Sequence, residues 1–491
     1  MIFGMAVTSG EVTTSHIILV MVFVFVRELG NKGRKEVFPP GPWSLPIVEN
    51  LLQLGDHLYL TFMEMRKKYG DVFLIKLGMV PVLVVNGMEM VKEVLLRNGE
   101  HFSYVFNYGE NWTLHKKIAS NALRTFPKAE TKSSTWSSGK SFTELTSRSG
   151  SFEPRGAITC AMANVVYTLC FGKMYDHSDE EFLRIVKTDH DLLKASSAAN
   201  PADFIPYFRY LPLRIINAPQ EFYHARNQAF ILYYLLLFSL FILYQACLLL
   251  YIYEIILQHD KVRDHIQDIT DALISACHNK YAVAKITILN DDEIISTVSD
   301  LIGAGFEIIS TCIYWSFLYL IYYPEIQVKI QEEINGNTGM KSPRFEDRKI
   351  LPYTEAFINE IFRHTSFLPF TIPHCTTADT TLNGCFIPRK TCTFINMYQV
   401  NHEETIWDNP NLLRPERFLN ENRELNKNLI EKIFIFGMGI QKCLREKVAR
   451  NEVFVFITTV LQQLTLKKCP VVKLDLTPTY GLVMKPKPYQ L

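Results

Sequence analysis

The sequence predicts a mainly helical chain that carries a small β element. Helices are predicted from His57 to Tyr69, from Asp291 to Tyr323, where a proline follows, and from Glu446 to Leu464. Two short runs rich in β-branched residues, Val72 to Leu77 and Val82 to Val85, predict a hairpin. The hairpin is therefore expected to pack beside longer helices.

Composition excludes several classes of function. The chain has 491 residues and a formal net charge of +1, so no strong field for nucleic acid or for acidic substrates is expected. Its ten cysteines show neither CxxC pairs nor a disulfide framework, which indicates reduced thiols in a domain facing the cytosol.

The N-terminal residues 1–35 are predicted to be a membrane anchor with a basic flank. The run from Ile17 to Val26 is apolar, and the positive charges follow it rather than precede it, at Arg27, Lys32, Arg34 and Lys35. Positive charge after an apolar run keeps the downstream domain cytosolic. A cleaved signal peptide is the alternative. Pro39 to Pro42 then predicts a stiff hinge, and Glu49 follows it.

A glycine-rich loop ending in a cysteine is the most informative motif. Gly437 and Gly439 allow a tight turn that brings the backbone close to a flat ligand. Cys443 then lies at the N-terminus of the predicted helix, where unpaired N–H groups favour a thiolate. A thiolate is a ligand for haem iron and favours cleavage of O₂. A buried structural cysteine is the alternative.

This loop resembles the haem-binding signature of the cytochrome P450 family, Phe-x-x-Gly-x-Arg-x-Cys-x-Gly. Phe436, Gly439 and Cys443 match it, whereas Gln441 replaces the arginine that pairs with a haem propionate, and Arg445 replaces the last glycine. Glutamine retains a hydrogen-bond donor without charge, and Arg445 is expected to crowd the packing beneath the haem. Three other segments, Gly70 to Phe73, Ile372 to Cys375 and Arg414 to Leu419, look most similar to family one of the vertebrate enzymes, and this resemblance covers about four fifths of the chain.

Two further segments resemble parts of the family that hold haem propionates. Trp112 and Lys116 match a Trp-x-x-x-Arg motif, with lysine in the place of arginine. His374 stands where aryl-hydrocarbon-metabolising members place a propionate ligand, and Glu49 stands where the family usually has glycine.

Residues Gly303 to Ile308 resemble the distal helix motif that serves O₂ in the family. Ala304, Gly305 and Glu307 match it, and the resemblance implies that they form the catalytic groove and its acid. Ile308 replaces the threonine, so this position has no hydroxyl to donate a hydrogen bond.

A third set of residues resembles the family's structural brace. Glu360 and Arg363 form the Glu-x-x-Arg pair, and Arg417 lies in the Pro-Glu-Arg-Phe segment. The resemblance implies a buried charge network that supports the haem loop.

One stretch departs from the family. Residues 229–253 contain no charge and are long enough to cross a membrane, where the family has an amphipathic helix. A membrane-dipping helix, a second span and an unprocessed or decayed piece of coding sequence are the three interpretations. We favour the last, because a second span would separate Trp112 from Cys443.

The resemblance implies one large haem domain, 36–491, of mainly α structure with small β-sheets. It implies a monooxygenase of the endoplasmic reticulum membrane that inserts one atom of O₂ into lipophilic, aromatic or steroid-like substrates. Electrons would come from NADPH through a cytochrome reductase, with a cytochrome b-type donor as a second partner. The implied cofactor-binding residues are Cys443, the iron ligand, with Phe436, Gly437, Gly439, Gln441, Trp112, Lys116, His374, Glu360, Arg363 and Arg417. The implied substrate contacts are Phe306, Ile308, Leu368 and Ile372.

Two alternatives remain at this point. The first is an impaired or non-functional haem-binding relic, suggested by Gln441, Arg445 and Ile308. The second is a haem-thiolate isomerase or an enzyme that uses peroxide, since such chemistry needs no proton relay to O₂.

Overall fold

The structure is a computed structural model, and it describes residues 37–45, 49–78, 80–104, 116–121, 123, 150–180, 182–184, 186–187, 268–275 and 291–491. The predicted anchor 1–35, Trp112 and the apolar stretch 229–253 lie outside the described residues. The described residues form two compact units. The first comprises those before position 105 together with Ile372–Asn396, and the second comprises the others.

The first unit contains the β structure. Its helices are α1 (Leu58–Tyr69) and α2 (Met88–Lys92), and a π-helical turn, Glu93–Arg97, follows α2. Its strands are β1 (Val72–Leu77), β2 (Val80–Val85), β3 (Phe102–Tyr104), β4 (His374–Thr376), β5 (Thr380–Leu382), β6 (Cys385–Ile387) and β7 (Cys392–Ile395).

Among the described residues, five strands form one sheet in the order β1-β2-β7-β4-β3, and β5 pairs with β6. Only β2 and β7 run parallel, whereas the other neighbours are antiparallel. Val82 to Val85 are fully buried, so β-branched side chains fill the core side of the hairpin. The predicted helix and hairpin of this unit are confirmed.

The second unit is helical in its regular structure. Its helices are α3 (Arg155–Phe171), α4 (Asp291–Gly303), α5 (Glu307–Tyr322), α6 (Pro324–Asn337), α7 (Pro352–Thr365), α8 (Met397–Asn401), α9 (Lys427–Ile430) and α10 (Glu446–Gln463). Short 3₁₀ turns occur at Leu51–Gln53 in the first unit and at Phe345–Lys349, Pro415–Phe418 and Gly439–Gln441 in the second. The predicted helix from Glu446 is confirmed as α10.

The long helix predicted from Asp291 to Tyr323 is interrupted. Residues 304–306 leave the helical pattern between α4 and α5, at the Ala-Gly pair of the distal motif. Glycine has a low helix propensity, and the break falls at the glycine of this pair.

Helix α5 lies in the middle of the core of this unit. Its residues from Ile309 to Ile321 are buried, and Phe317 is fully buried beside Phe456 of α10. Within the described residues, the stretch Glu293–Tyr322 is long and apolar enough to cross a membrane, but 83% of its most apolar window is buried inside the protein. Burial of this kind also occurs in the core helix of a soluble protein.

Candidate functional site

The cysteine loop has the tight backbone that its glycines predict. Gly437 and Gly439 both have φ of 68°, in the left-handed region that favours glycine. The N–H of Cys443 donates to the carbonyl of Phe436 at 2.8 Å, which closes the loop, and α10 begins three residues later at Glu446. The Cys443 side chain is exposed and so is accessible to a ligand.

The electrostatics of this thiol differ from the expectation. Desolvation by the surrounding protein raises the pKa of Cys443, although the N–H and the guanidinium of Arg445 and the Lys116 ammonium act to lower it. The N-terminus of α10 favours an anion by about 0.3–1 kcal/mol, and coordination of a metal ion deprotonates a thiol outright.

Lys116 contacts the cysteine loop directly. Its Nζ donates to the carbonyl oxygen of Lys442 at 3.0 Å and also to that of Ile440. Burial lowers the pKa of Lys116, and the nearby Cys443 thiol opposes that shift. The sequence predicted that Lys116 pairs with a propionate. In the structure, the ammonium ties helical residues 116–121 to the loop, and its pairing with a propionate stays a prediction.

Gln441 is the feature of the loop that best fits a haem carboxylate. Its Nε2 atom is buried and has no hydrogen-bond partner among the described residues. A buried amide N–H₂ without an acceptor is costly, and the carboxylate of a propionate would supply that acceptor. Together with the accessible Cys443 thiol, the residues present therefore fit haem.

Behind the loop, the structure brings the three brace residues together. Glu360 accepts two hydrogen bonds from Arg363, each at 2.8 Å, and one from Arg417 Nε at 3.1 Å. The backbone N–H of Arg414 adds a fourth at 2.8 Å. Glu360 and Arg363 are fully buried, and the Arg417 side chain is 3% exposed. Each charge in this network is paired and hydrogen-bonded, as buried charges require.

Asn401 connects this network to the cysteine loop, although no sequence motif singled it out. Arg363 Nη1 donates to the Asn401 carbonyl at 3.0 Å. The Asn401 side-chain amide then makes two bonds to the backbone of Phe434, accepting at 2.8 Å and donating at 3.0 Å. The segment leading into the loop is therefore fixed to the buried arginine.

Arg450 is a second residue that the sequence did not single out. Its guanidinium lies 5.1 Å from the centre of the Phe362 ring and 4.9 Å from that of Phe436. It also donates to Asn359 at 2.7 Å and to Glu446 at 3.0 Å. Cation–π contacts of this kind hold the Phe436 ring in place at the start of the loop. An i,i+4 spacing from Glu446 was the only clue available in the sequence.

The break between α4 and α5 is packed by Arg445. Its guanidinium donates to the carbonyl oxygen of Leu301 at 3.4 Å and to the buried carboxylate of Glu452 at 3.1 Å. A Cβ atom at position 305 would collide with this guanidinium and with the Leu301 carbonyl, so only glycine fits there. The arginine that replaces a family glycine thus reaches the distal motif.

Glu307 is buried and is bound by two cations. Its Oε1 accepts from Arg155 Nη2 at 3.3 Å and from Lys485 Nζ. The hydroxyls of Ser310 and Thr311 do not replace the missing threonine, since they donate to the carbonyls of Phe306 and Glu307 at 2.7 and 2.9 Å.

The four expected substrate residues differ in exposure. Phe306 is fully buried in the core, Ile308 and Leu368 are half-buried, and Ile372 is 61% exposed. Ala304 is also exposed, so the accessible side chains at the helix break are those of Ala304 and Ile308.

His374 and Ile372 belong to the first unit. The Nδ1–H of His374 donates to the carbonyl of Phe102 at 3.0 Å, because a carbonyl can only accept. Burial lowers the pKa of His374, and the Phe102 contact opposes this shift. In the neutral ring Nε2 is then an acceptor, so pairing with a carboxylate would require a second proton.

The chain is similar in sequence to known proteins over nearly its whole length. The sequence model described as cytochrome P450 matches residues 39–491. Cytochrome P450 1A1 of Felis catus is 37% identical, and the alignment covers 99% of this chain and 97% of that protein. Cytochrome P450 1A1 of Rattus norvegicus is 38% identical, and the alignment covers 92% of this chain and 89% of that protein. Cytochrome P450 1A1 of Homo sapiens is 36% identical, and the alignment covers 99% of this chain and 98% of that protein.

Proposed function

The chain belongs to the cytochrome P450 family, and on that premise we propose that Cys443 would bind the haem iron and that the substrates of the chain are planar aromatic or steroid-like. As a member of the family it is a haem-thiolate monooxygenase that uses haem iron and electrons from NADPH through a reductase. The predicted relation to family one is confirmed by the relatives named 1A1. The alternative of a non-functional relic is not supported.

When bound, haem would supply an iron centre for the activation of O₂. The residues of the chain bind and orient this group. We assign the iron to the Cys443 thiolate and a haem carboxylate to Gln441 Nε2, whose buried N–H₂ needs an acceptor. Lys116 holds the loop through the Ile440 and Lys442 carbonyls. Trp112 and His374 remain predicted propionate ligands.

At the break between α4 and α5, we propose that Ala304 and Ile308 form an apolar surface for O₂ and substrate, whereas Gly305 is buried against the Arg445 guanidinium. Ile308 can neither donate nor accept a proton. Glu307 is the nearest acid in the sequence, and its Oε1 is held by Arg155 and Lys485. Glu307 is therefore the proposed source of protons for this surface. Leu368 and Ile372 stay predicted substrate contacts.

We further propose that the partners are the NADPH–cytochrome reductase and a cytochrome b-type donor, at the endoplasmic reticulum membrane. The support is the sequence before the hinge, where an apolar run precedes a basic cluster in residues 1–35. In this arrangement residues 36–491 form the cytosolic haem domain. A lipophilic substrate would then partition into the same membrane from which the enzyme takes it.

The observation that carries the proposed ligand is an accessible Cys443 thiol on a closed glycine loop that is fixed to a buried charge network. The test is the reduced carbon monoxide difference spectrum of the haem-loaded chain. Cys443→Ala should abolish the far-red-shifted band that thiolate ligation produces. Cys385→Ser, a half-buried cysteine of the first unit, is the matched control and should keep the band. An unchanged spectrum in Cys443→Ala would overturn the assignment.

A further inference from the structure

Two cysteines face each other across neighbouring strands of the five-stranded sheet. Cys375 of β4 is the direct antiparallel partner of Cys392 of β7. Both are free thiols, and both are only partly buried. Along each strand the more buried and the less buried residues alternate, and both cysteines occupy the less buried positions. The two side chains therefore leave the sheet on the same, more accessible face.

The hydrogen-bond pattern identifies the type of pair that they form. The next pair along the ladder, Thr376 and Thr391, is hydrogen-bonded, with the Thr376 N–H donating to the Thr391 carbonyl at 3.1 Å. Hydrogen-bonded and non-hydrogen-bonded pairs alternate in an antiparallel ladder, so Cys375 and Cys392 form a non-hydrogen-bonded pair. Residues in such a pair have Cα atoms about 4.5 Å apart, which lies within the range of about 4.4–6.8 Å that a disulfide spans.

We propose that Cys375 and Cys392 form a reversible cross-strand disulfide when the protein meets hydrogen peroxide. One thiolate attacks the peroxide, breaks its O–O bond and becomes a sulfenic acid, and hydroxide leaves and is protonated to water. The second thiol then attacks the sulfenic sulfur and displaces a second water molecule. Two thiols lose two electrons and two protons in total, and the peroxide is reduced to two molecules of water.

The chemistry of the two thiols suits a bond that is absent under resting conditions. Burial raises the pKa of Cys375, and burial together with the neighbouring Cys375 raises that of Cys392 to about 11. At neutral pH both are thiols, so they react slowly with oxidants until peroxide accumulates. Cysteine–cysteine proximity, rather than thiolate reactivity, makes the disulfide the favoured product over further oxidation of either sulfur.

The disulfide would act on the strand that carries His374. In the register of β4 and β7, His374 pairs with Thr393, directly beside the two cysteines. A covalent link at the adjacent pair fixes this register and opposes separation of the two strands. Oxidation is thus expected to stiffen the part of the first unit that includes the predicted propionate ligand.

The test treats the full-length, haem-loaded protein with added peroxide, blocks remaining thiols by alkylation and maps the non-reduced digest by mass spectrometry. We expect a cross-linked peptide pair that contains Cys375 and Cys392, equal loss of both free thiols, and full recovery of both with a reducing agent. Amide hydrogen exchange in 374–376 and 392–395 should be slower in the oxidised protein. These readouts do not require monooxygenase activity.

Two matched variants test whether the cross-link requires this pair of cysteines. Cys385 lies on β6, in the separate two-stranded sheet, and Cys385→Ser should leave the cross-linked peptide unchanged. Cys375→Ser, which is close in size, should abolish it. Sulfinic or sulfonic acid at either position without a cross-link, a link through Cys385, or unreacted thiols after treatment would each overturn the proposal. Mapping the unsubstituted protein is decisive even if Cys375→Ser does not fold.

Discussion

The brace around Glu360 and the loop around Cys443 lie in the same unit, yet they differ in how completely their polar groups are paired. Glu360 accepts four hydrogen bonds, from Arg363 twice, Arg417 and the Arg414 backbone, and is fully buried. In the loop, the thiol is exposed and the Gln441 amide has no partner among the described residues. The brace is complete without a ligand, whereas the loop is built to receive one.

The same difference separates residues that keep the family pattern from those that depart from it. Glu360, Arg363 and Arg417 match the family and form the buried network. Gln441, Arg445 and Ile308 depart from it, and all three lie at the cysteine loop or the distal motif. The departures should therefore alter haem binding and proton delivery more than they alter the fold.

Breaking the brace should have the largest effect on stability. Arg363→Ala leaves the Glu360 carboxylate buried without its bidentate partner, and removing one member of such a pair costs about 3–5 kcal/mol. We expect a protein that does not fold or load haem at 37 °C. Arg414→Ala is the control, because its pair with Asp408 is exposed and its backbone bond to Glu360 remains. Denaturant titration measures both, and equal unfolding free energies would show that the network is not a brace.

Restoring the distal hydroxyl should have the next largest effect. Proton transfer by a positioned group typically contributes about 10²–10⁴-fold, and Ile308 lacks such a group. The chain as written should consume NADPH and O₂ but release much of the flux as hydrogen peroxide. Ile308→Thr should raise the ratio of product to NADPH consumed, whereas Ile308→Val should not. A ratio that stays unchanged in Ile308→Thr would place the proton relay elsewhere.

Acid should destabilise the folded protein, because two histidines with lowered pKa values lie beside the brace. Burial and the charge of Arg363 lower the pKa of His364 from 6.5 to about 3 and that of His402 well below 6.5. Because the unfolded chain binds these protons first, the stability is present above pH 6.5 and is lost as pH falls towards 3.

The loss amounts to about 1.4 kcal/mol per pH unit for each histidine in this window. Thermal unfolding between pH 7 and pH 5 measures it. His402→Gln should reduce the slope, and replacement of the exposed His101 by Gln should not. An unfolding free energy that does not change over this range would contradict the expectation.

Replacing Gln441 by the arginine of the family pattern should have the smallest effect of these changes. Gln441→Arg gives the haem carboxylate a charged donor, and a charge-assisted hydrogen bond exceeds a neutral one by about 1 kcal/mol. Haem transfer to a scavenging protein should therefore slow by roughly fivefold to tenfold. Gln441→Met, which keeps the length and removes the donor, should accelerate it. Equal rates in all three proteins would show that residue 441 does not contact the cofactor.

Local rules were sufficient for part of this structure. The turn at Gly437 and Gly439, the start of α10 and the hairpin of β1 and β2 follow from short-range chemistry, so the sequence predicted them. Glu49 illustrates the same point. It stands where the family usually has glycine, and its φ of 50° lies in the left-handed region.

The sequence by itself determined the family motifs, their order and the residues that depart from them, because each is a local pattern of residue types. Tertiary structure alone decided which atoms the long side chains reach. Lys116 binds loop carbonyls, Arg445 reaches Leu301, and Glu307 joins Arg155 to Lys485. Each partner is far away in the chain. A flexible cationic side chain has several possible acceptors, and burial and distance in the folded protein determine which of them it binds. The spacing of residues in the sequence does not predict that partner, whereas a glycine turn follows from residues that are adjacent in the sequence.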